Sequence, residues 1–316
     1  MNSVPIGLGI SLPQKCIKNN ELPKELNTSD EWIVQRTGIS QRYIASEGET
    51  TASLATQAAL KALEHAKISP QEIDLIVLGT VTGDYTFPST ATIVQKNLGI
   101  TQGAAFDIAA ACSGFVYALD VADSYIKLGK TKCALVIGSE TFSKIVNWSD
   151  RSSCVLFGDG AGAMVLQAQE NTDRGIKYSN ICSDGGYLNH LITTGGVSTT
   201  QNAGFIKMNG QEVFKFAVEK FNESLNKLLK DNNMTIDDVD LLVPHQANSR
   251  IIHKLIAISG IEEKKVLINI DKYANTSAAS IPLALNEVKD AFFSMGNIVL
   301  LSMGAGFTWG SVLIRL

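Results

Sequence analysis

Apolar positions along the chain fall into two alternating patterns. Short continuous runs, Leu75-Ile76-Val77, Cys133 to Gly138 and Ala163-Met164-Val165-Leu166, read as buried strands. Between such runs, apolar residues recur at steps of three and four. Phe214, Ala217, Val218, Phe221, Leu225 and Leu228 predict one amphipathic helix, and Leu54, Ala58 and Ala62 another. The alternation predicts an α/β fold.

The pattern also repeats. Ile68 to Val77 reads like Met234 to Val243, each a polar turn followed by a short apolar run, 166 residues apart. At the same offset, the helix opened by Cys112-Ser113-Gly114 meets Asn275-Thr276-Ser277-Ala278-Ala279-Ser280, and the strand Cys133–Gly138 meets Ile298–Met303. Any α/β chain alternates helix and strand, but that alone would not fix an offset. We therefore read two halves of similar topology, 1–170 and 171–316. Gln169 to Gly175 is the best boundary, being polar and turn-rich. No Pro- or Ser-rich linker divides the halves, so they should pack tightly with a site between them.

Composition narrows the classes. The 316 residues are 45% hydrophobic and 18% charged, which excludes wholesale disorder and suffices for a large core. A net charge of −4 disfavours nucleic-acid or membrane-surface binding, apart from a local basic patch. No apolar run approaches the ~18 residues of a membrane span, and the start lacks the basic and apolar regions of a signal peptide. Five widely spaced cysteines with no CxxC pair argue against a disulfide scaffold or a zinc site and fit a reducing cytoplasm.

Several residues could carry chemistry. Cys112 follows a strand-like run of small residues and precedes a helix start. At a helix N-terminus its thiol pKa should fall, although a cysteine is as readily a small buried hydrophobe. His245 lies just past a buried strand, where open α/β sheets place ligands, and a structural histidine is the plainer reading. Asn275 takes nearly the place in the second half that Cys112 takes in the first, or is simply a helix cap. Gly304 to Gly310 follows a strand with no helix after it, so it is no dinucleotide loop, but a tight turn there could offer an N–H to an oxyanion. Thr28 and Glu31 suggest a capping box, with Gly38 as the stop. Trp32 and Arg36 then share a helix face that could hold a base and its phosphates, or form a surface cation–π pair.

Taken together, Ala110-Ala111-Cys112-Ser113-Gly114-Phe115, Pro244-His245-Gln246-Ala247-Asn248, Asn275 to Ser280 and Gly304 to Gly310 resemble the β-ketoacyl-acyl-carrier-protein synthase III family. The resemblance spans essentially the whole chain. It implies the thiolase-like fold: two pseudo-twofold halves, each a five-stranded mixed sheet, in a five-layered αβαβα stack. Elongating synthases differ in having two histidines and thiolases in having a second cysteine. Plant-type polyketide synthases share Cys-His-Asn but are usually longer and lack the Trp32/Arg36 context.

The resemblance implies a Cys112–His245–Asn275 triad and an oxyanion hole from the N–H groups of Cys112 and Ala305. It assigns Trp32 and Arg151 to the adenine of CoA, and Arg36 and Asn248 to the rest of CoA. Arg250 would touch the carrier protein, with Lys215 and Lys254 extending the patch. Phe142, Leu156 and Phe157 would shape the acyl pocket, with Phe87 reaching in from the partner of a homodimer. The implied reaction is decarboxylative condensation of an acyl-CoA with malonyl-acyl-carrier protein, starting fatty acid synthesis without a metal or redox cofactor. A paralogue using malonyl-CoA for a specialised metabolite is the alternative, with a non-catalytic acyl-CoA-binding scaffold behind it. Two positions depart from the family pattern: Ala274 and Ala305 stand where glycine is common. Both are small, so neither should block the site by volume.

Overall fold

A computed structural model describes residues 1–316. In chain order the strands are β1 (Asn2–Ser11), β2 (Lys15–Lys18), β3 (Gln41–Ile44), β4 (Leu75–Gly79), β5 (Ala104–Ile108), β6 (Cys133–Glu140), β7 (Gly160–Gln169), β8 (Gly175–Ser183), β9 (Leu191–Thr193), β10 (Ile206–Met208), β11 (Leu241–Pro244), β12 (Asn297–Gly304) and β13 (Thr308–Arg315). The helices are α1 (Asp30–Thr37), α2 (Thr51–Ala66), α3 (Thr90–Asn97), α4 (Gly114–Lys127), α5 (Arg151–Cys154), α6 (Val197–Thr200), α7 (Gly210–Asp231), α8 (Ser249–Ser259), α9 (Ile270–Tyr273), α10 (Ser280–Glu287) and α11 (Lys289–Phe292).

Two mixed sheets form the frame. One has the order β1-β7-β6-β4-β5, the other β11-β12-β13-β8. Helices α4 and α10 lie between the sheets, α2 and α3 cover the outer face of the first, and α7 and α8 that of the second. This is the five-layered αβαβα stack. The central core draws on both sheets, with Phe115, Leu119, Ile281 and Phe292 between Val136 on one side and Leu300 on the other. The second sheet has four strands where five were expected. The fifth place is reduced to a single parallel bridge, Val266 beside Leu242, because the chain there leaves at once for α9.

The 166-residue offset holds through β4 and β11 and through the turns before α4 and α10. It drops to 164 at β6 and β12, since Leu75 pairs with Ala134 while Leu241 pairs with Ile298. Local signals also shifted. The cap of α1 is Ser29, which accepts from the Trp32 N–H, rather than Thr28. Asp30 and Glu31 fill the first turn, where the helix dipole favours acids, and Gly38 closes the helix at φ 79°. Strand β7 starts inside the glycine run, at Gly160. A Cβ on Gly162 would lie 2.6 Å from Pro282, so glycine is what lets α10 lie on the sheet.

Candidate active site

Cys112 sits in a single 3-10 turn, Ala111–Ser113, that leads directly into α4. Ala111 takes a left-handed conformation, φ 45°, unusual for a residue with a Cβ. Three tethers hold the turn. Ser113 Oγ donates to the Thr308 carbonyl at 3.1 Å, and Thr308 Oγ1 donates to the Ala110 carbonyl at 3.0 Å. Gly304 packs so closely that a Cβ there would lie 2.8 Å from the Cys112 N. The glycine at the end of β12 is therefore a steric requirement of the Cys112 turn.

His245 follows β11 and is 2% exposed. Its Nδ1 is bound to Ser280 Oγ at 2.6 Å, and the Gln246 N–H donates to the same oxygen at 3.4 Å. Burial depresses its pKa to about 3, so the ring is neutral over the physiological range. Asn275 is clamped by its backbone to the segment beside it: its N–H donates to Leu156 O at 2.9 Å and its carbonyl accepts from Gly158 N at 3.0 Å. Its Oδ1 accepts from the Ser277 N–H at 2.9 Å, which leaves the amide NH₂ as the free end. Asn275 does not occupy the equivalent of Cys112. At the 166-residue offset that place is Ala278, and Asn275 matches Ala109.

Cys112, His245, Asn275 and Ala305 line one cavity of about 420 Å³ between the halves, with Asn248, Phe142, Leu156 and Phe157 also in its wall. Most of the wall is apolar. The sequence reading omitted one large part of it: Leu188, Leu191, Ile206 and Met208, from the excursion between β8 and α7. That excursion carries no periodic pattern of its own. The same cavity is walled by Val213, Phe214, Ala217 and Phe221 of α7, so the amphipathic stripe serves both core and pocket.

The thiol's environment reverses one expectation. Burial pushes the Cys112 thiol up to about 12. The Ser277 hydroxyl and the backbone work to lower it, while the charge of Glu140 raises it. No cation stands beside the sulfur to offset desolvation, as a reactive thiolate usually requires. Glu140, at the end of β6, was not singled out from sequence. Its carboxylate is fully buried and accepts from Thr80 Oγ1 (3.0 Å), Val81 N (3.2 Å), Thr82 N (3.1 Å), Thr82 Oγ1 and Ser277 Oγ (3.2 Å). Burial lifts its pKa to about 7 against the pull of those donors. The signal for it was a lone acid ending the apolar run of β6, at the carboxyl edge of a parallel pair.

Of the remaining candidates, Asn248 lines the cavity and the others lie outside it. The guanidinium of Arg36 is 4.4 Å and that of Arg151 4.9 Å from the centre of the Trp32 ring. Asn248 caps α8 by accepting from the Arg250 N–H at 2.9 Å, and its Nδ2 donates to the Arg36 carbonyl at 3.1 Å, tying α8 to α1. Arg250 borders an outer groove of about 840 Å³ shared with Met208, Gly210, Phe214 and Asn248 of the cavity wall. Lys215 and Lys254 are exposed and border neither space. Phe87 is 83% exposed and takes no part in the cavity of its own chain. No group of three or more His, Cys, Asp or Glu gathers as a metal site, and no helix is long and apolar enough to cross a membrane.

Ala274 departs from the volume argument. It is buried at φ 58°, ψ −161°, a region of backbone space that is essentially glycine's own. What matters at this position is the backbone path into Asn275, and alanine follows it under strain.

Comparison with known proteins agrees with this geometry. The family model for 3-oxoacyl-[acyl-carrier-protein (ACP)] synthase III matches residues 106–185, and its C-terminal model matches 229–316. The chain is 51% identical over 315 residues to a beta-ketoacyl-[acyl-carrier-protein] synthase III of Rhizorhabdus wittichii, covering 99% of each chain. This chain belongs to the synthase III family. The synthase III of Rhodospirillum centenum is 52% identical over 320 residues, covering 100% of this chain and 99% of that one. The crystal structure of the Aquifex aeolicus synthase III superposes with a TM-score of 0.94 at 47% identity, covering 99% of this chain and 100% of that one. As a synthase III, the chain is an acyltransferase that carries out the initiating condensation of fatty acid synthesis.

Proposed function

We propose that this synthase condenses an acyl-CoA primer, most simply acetyl-CoA, with malonyl-acyl-carrier protein through an acyl-Cys112 intermediate. The observation that carries it is the convergence of Cys112, His245, Asn275 and Ala305 on one apolar cavity between the halves. Cys112 attacks the thioester carbonyl and CoA leaves. The N–H groups of Cys112 and Ala305 receive the carbonyl oxygen as it gains charge.

Malonyl-carrier protein then takes the emptied approach. Loss of CO₂ leaves an enolate, whose oxygen needs donors in a dry site. In this reading the Gln246 N–H occupies the lone-pair side of Ser280 Oγ, so the Ser280 proton points to His245 Nδ1. The ring proton then sits on Nε2 and faces the enolate. Asn275, its Oδ1 already engaged, offers its NH₂ to the same oxygen. Neither group needs to change charge, which suits a histidine held neutral. The enolate carbon attacks the acyl-enzyme and yields the 3-oxoacyl product. This chemistry asks for no metal or redox cofactor.

Trp32 with Arg151 and Arg36 is taken as the platform for CoA, and Arg250 as the carrier-protein contact, supported by its place on the outer groove. Lys215 and Lys254 are left as the outer part of that patch. Phe142, Leu156 and Phe157 bound the primer. A homodimer is part of the same reading, supported by the exposed apolar side chains Val81, Tyr85 and Phe87, of which Val81 lines the cavity. So are the halves 1–170 and 171–316 as units of organisation and a cytoplasmic location.

The test is intact-mass analysis after incubation with a panel of acyl-CoAs. A single adduct that is absent from Cys112→Ser and is discharged by malonyl-carrier protein with CO₂ release is expected. No adduct from any acyl-CoA would sink the proposal.

A further inference from the structure

One buried carboxylate ties the two halves of the chain together beside the cavity. Glu140 belongs to the first half, at the end of β6. Its Oε2 gathers the segment after β4, accepting from Thr80 Oγ1 at 3.0 Å, Val81 N at 3.2 Å and Thr82 N at 3.1 Å. Its Oε1 accepts from Ser277 Oγ of the second half at 3.2 Å, the one hydrogen bond that this hydroxyl makes. Each anchored segment contributes to the cavity wall, Val81 from one and Asn275 from the other. Gly138, two residues before Glu140, allows the approach, since a Cβ there would collide with the Ala278 carbonyl.

Ser277 needs such an anchor. It stands at φ 51°, in the left-handed region that disfavours a residue with a Cβ. In that conformation its N–H meets Asn275 Oδ1 at 2.9 Å. An amide held by its oxygen has its NH₂ left to turn outward. The rest of the turn supplies no side-chain tether: Thr276 Oγ1 is buried without a partner, and Ala278 and Ala279 have no polar group to offer.

We propose that Glu140, acting through the Ser277 hydroxyl, is the positioning residue that sets the Asn275 amide for the condensation step. This assignment rests on the proposed role of Asn275 in holding the enolate. No proton moves along the relay. Glu140 fixes Ser277 in its left-handed turn, and the Ser277 N–H fixes Asn275 by its oxygen. Losing the anchor misplaces a donor at the step where charge builds on oxygen. Acylation of Cys112, which Asn275 does not serve, should be spared.

Single-turnover kinetics on the full chain read the two steps apart. Acyl-Cys112 formation is followed by intact mass with the acyl-CoA that labels it, and CO₂ release is followed after malonyl-carrier protein is added. Ser277→Ala should slow CO₂ release about tenfold and change acylation by less than about threefold. Asn275→Ala should slow CO₂ release by about 10²–10³, and adding Ser277→Ala to it should slow it no further, because Ser277 acts through Asn275. Glu140→Ala should lose at least what Ser277→Ala loses. Glu140→Gln should recover most of it, its carbonyl accepting from the Thr80–Thr82 segment and its NH₂ donating to Ser277 Oγ. Multiplying losses in the double variant overturn the proposal. So does unchanged CO₂ release in Ser277→Ala, or an equal loss at both steps. Should Ser277→Ala not fold, Ser277→Gly, which takes φ 51° without strain, is put through the same comparison with the same expected losses. Wild-type protein that forms no adduct with any acyl-CoA overturns the synthase reading and this assignment with it.

Discussion

The turns Ala111-Cys112-Ser113 and Ser277-Ala278-Ala279 are the same piece of backbone used twice. Both are single 3-10 turns, 166 residues apart, each opening on a left-handed residue (φ 45° at Ala111, 51° at Ser277) and each feeding a central helix. They are met by equivalent strand ends from the opposite half: Gly304 of β12 packs on the first turn, and Glu140 of β6 hydrogen-bonds the second. One turn presents a thiol against glycine and the other a hydroxyl against a carboxylate. Likewise Gly79 stands where the second half has His245. The backbone symmetry builds the cavity, and its breaking, residue by residue, supplies the chemistry. The first half gives the cavity its thiol and holds a buried acid; the second gives it a neutral histidine and an asparagine amide.

The largest effect should come from breaking that asymmetry at its centre. Cys112→Ser should cost at least about 10³-fold in acylation, because a hydroxyl ionises far less readily than a thiol. Ala278→Cys in the same background should not restore an adduct, since Ala278 packs against Gly114 and takes no part in the cavity wall; single-turnover mass analysis reads both. His245→Ala should leave acylation within about tenfold while lowering condensation by about 10²–10³, the usual loss for one oxyanion donor. Parallel assays of adduct formation and CO₂ release separate the two steps.

The buried acid should show in stability. Glu140 has a folded pKa of about 7 against an ordinary 4.5, so the folded state keeps a proton that the unfolded chain gives up. Its contribution is full below pH 4.5 and lost as pH rises toward 7, on the order of 3 kcal/mol. The difference between wild type and Glu140→Gln in denaturant unfolding should therefore change across that window and be flat outside it. His245 acts in the opposite sense: its pKa falls from 6.5 to about 3, so its contribution is present above pH 6.5 and lost on acidification.

Two smaller changes sharpen the backbone side. Gly304→Ala should destabilise by roughly 1–3 kcal/mol, since the added methyl meets the Cys112 N and the Ala110 O at under 3 Å. The loss should appear in denaturant midpoint together with slower acylation. Ala274→Gly should stabilise by about 1 kcal/mol, because glycine adopts φ 58°, ψ −161° without strain, and a raised Tm at unchanged condensation rate would show it.

Much of this was legible in the chain. Strand runs and helical stripes located the layers, and the repeat located the pseudo-twofold axis, because both follow from burial alone. The motifs around Cys112, His245 and Asn275 marked residues that line one cavity. What escaped depends on three-dimensional context. The thiol was expected to be acidified by its helix start, yet desolvation without a nearby cation outweighs that dipole. Glu140 looked like any strand-end acid until Thr80, Thr82 and Ser277 closed on it. Ala274 was judged by volume, and only its dihedral angles show what glycine would have relieved. The excursion carrying Leu188 and Met208 shows no periodicity because its strands β9 and β10 are only three residues each, too short to display an alternation.

The helix α7 stripe carries a consequence for how this enzyme can diversify. Ala217 and Phe221 belong to the buried cluster that holds α7 and α8 on the second sheet, and the same side chains bound the cavity. A substitution that lengthens or shortens the chamber there also adds or removes core volume, and one methylene is felt in a close-packed interior. With the cavity as the proposed primer site, lineages drifting toward a new primer through this wall need compensating changes elsewhere in the outer layer. Met208 and Leu188 line the cavity but belong to none of the buried clusters, so under the proposed assignment a change of primer length there does not disturb the core.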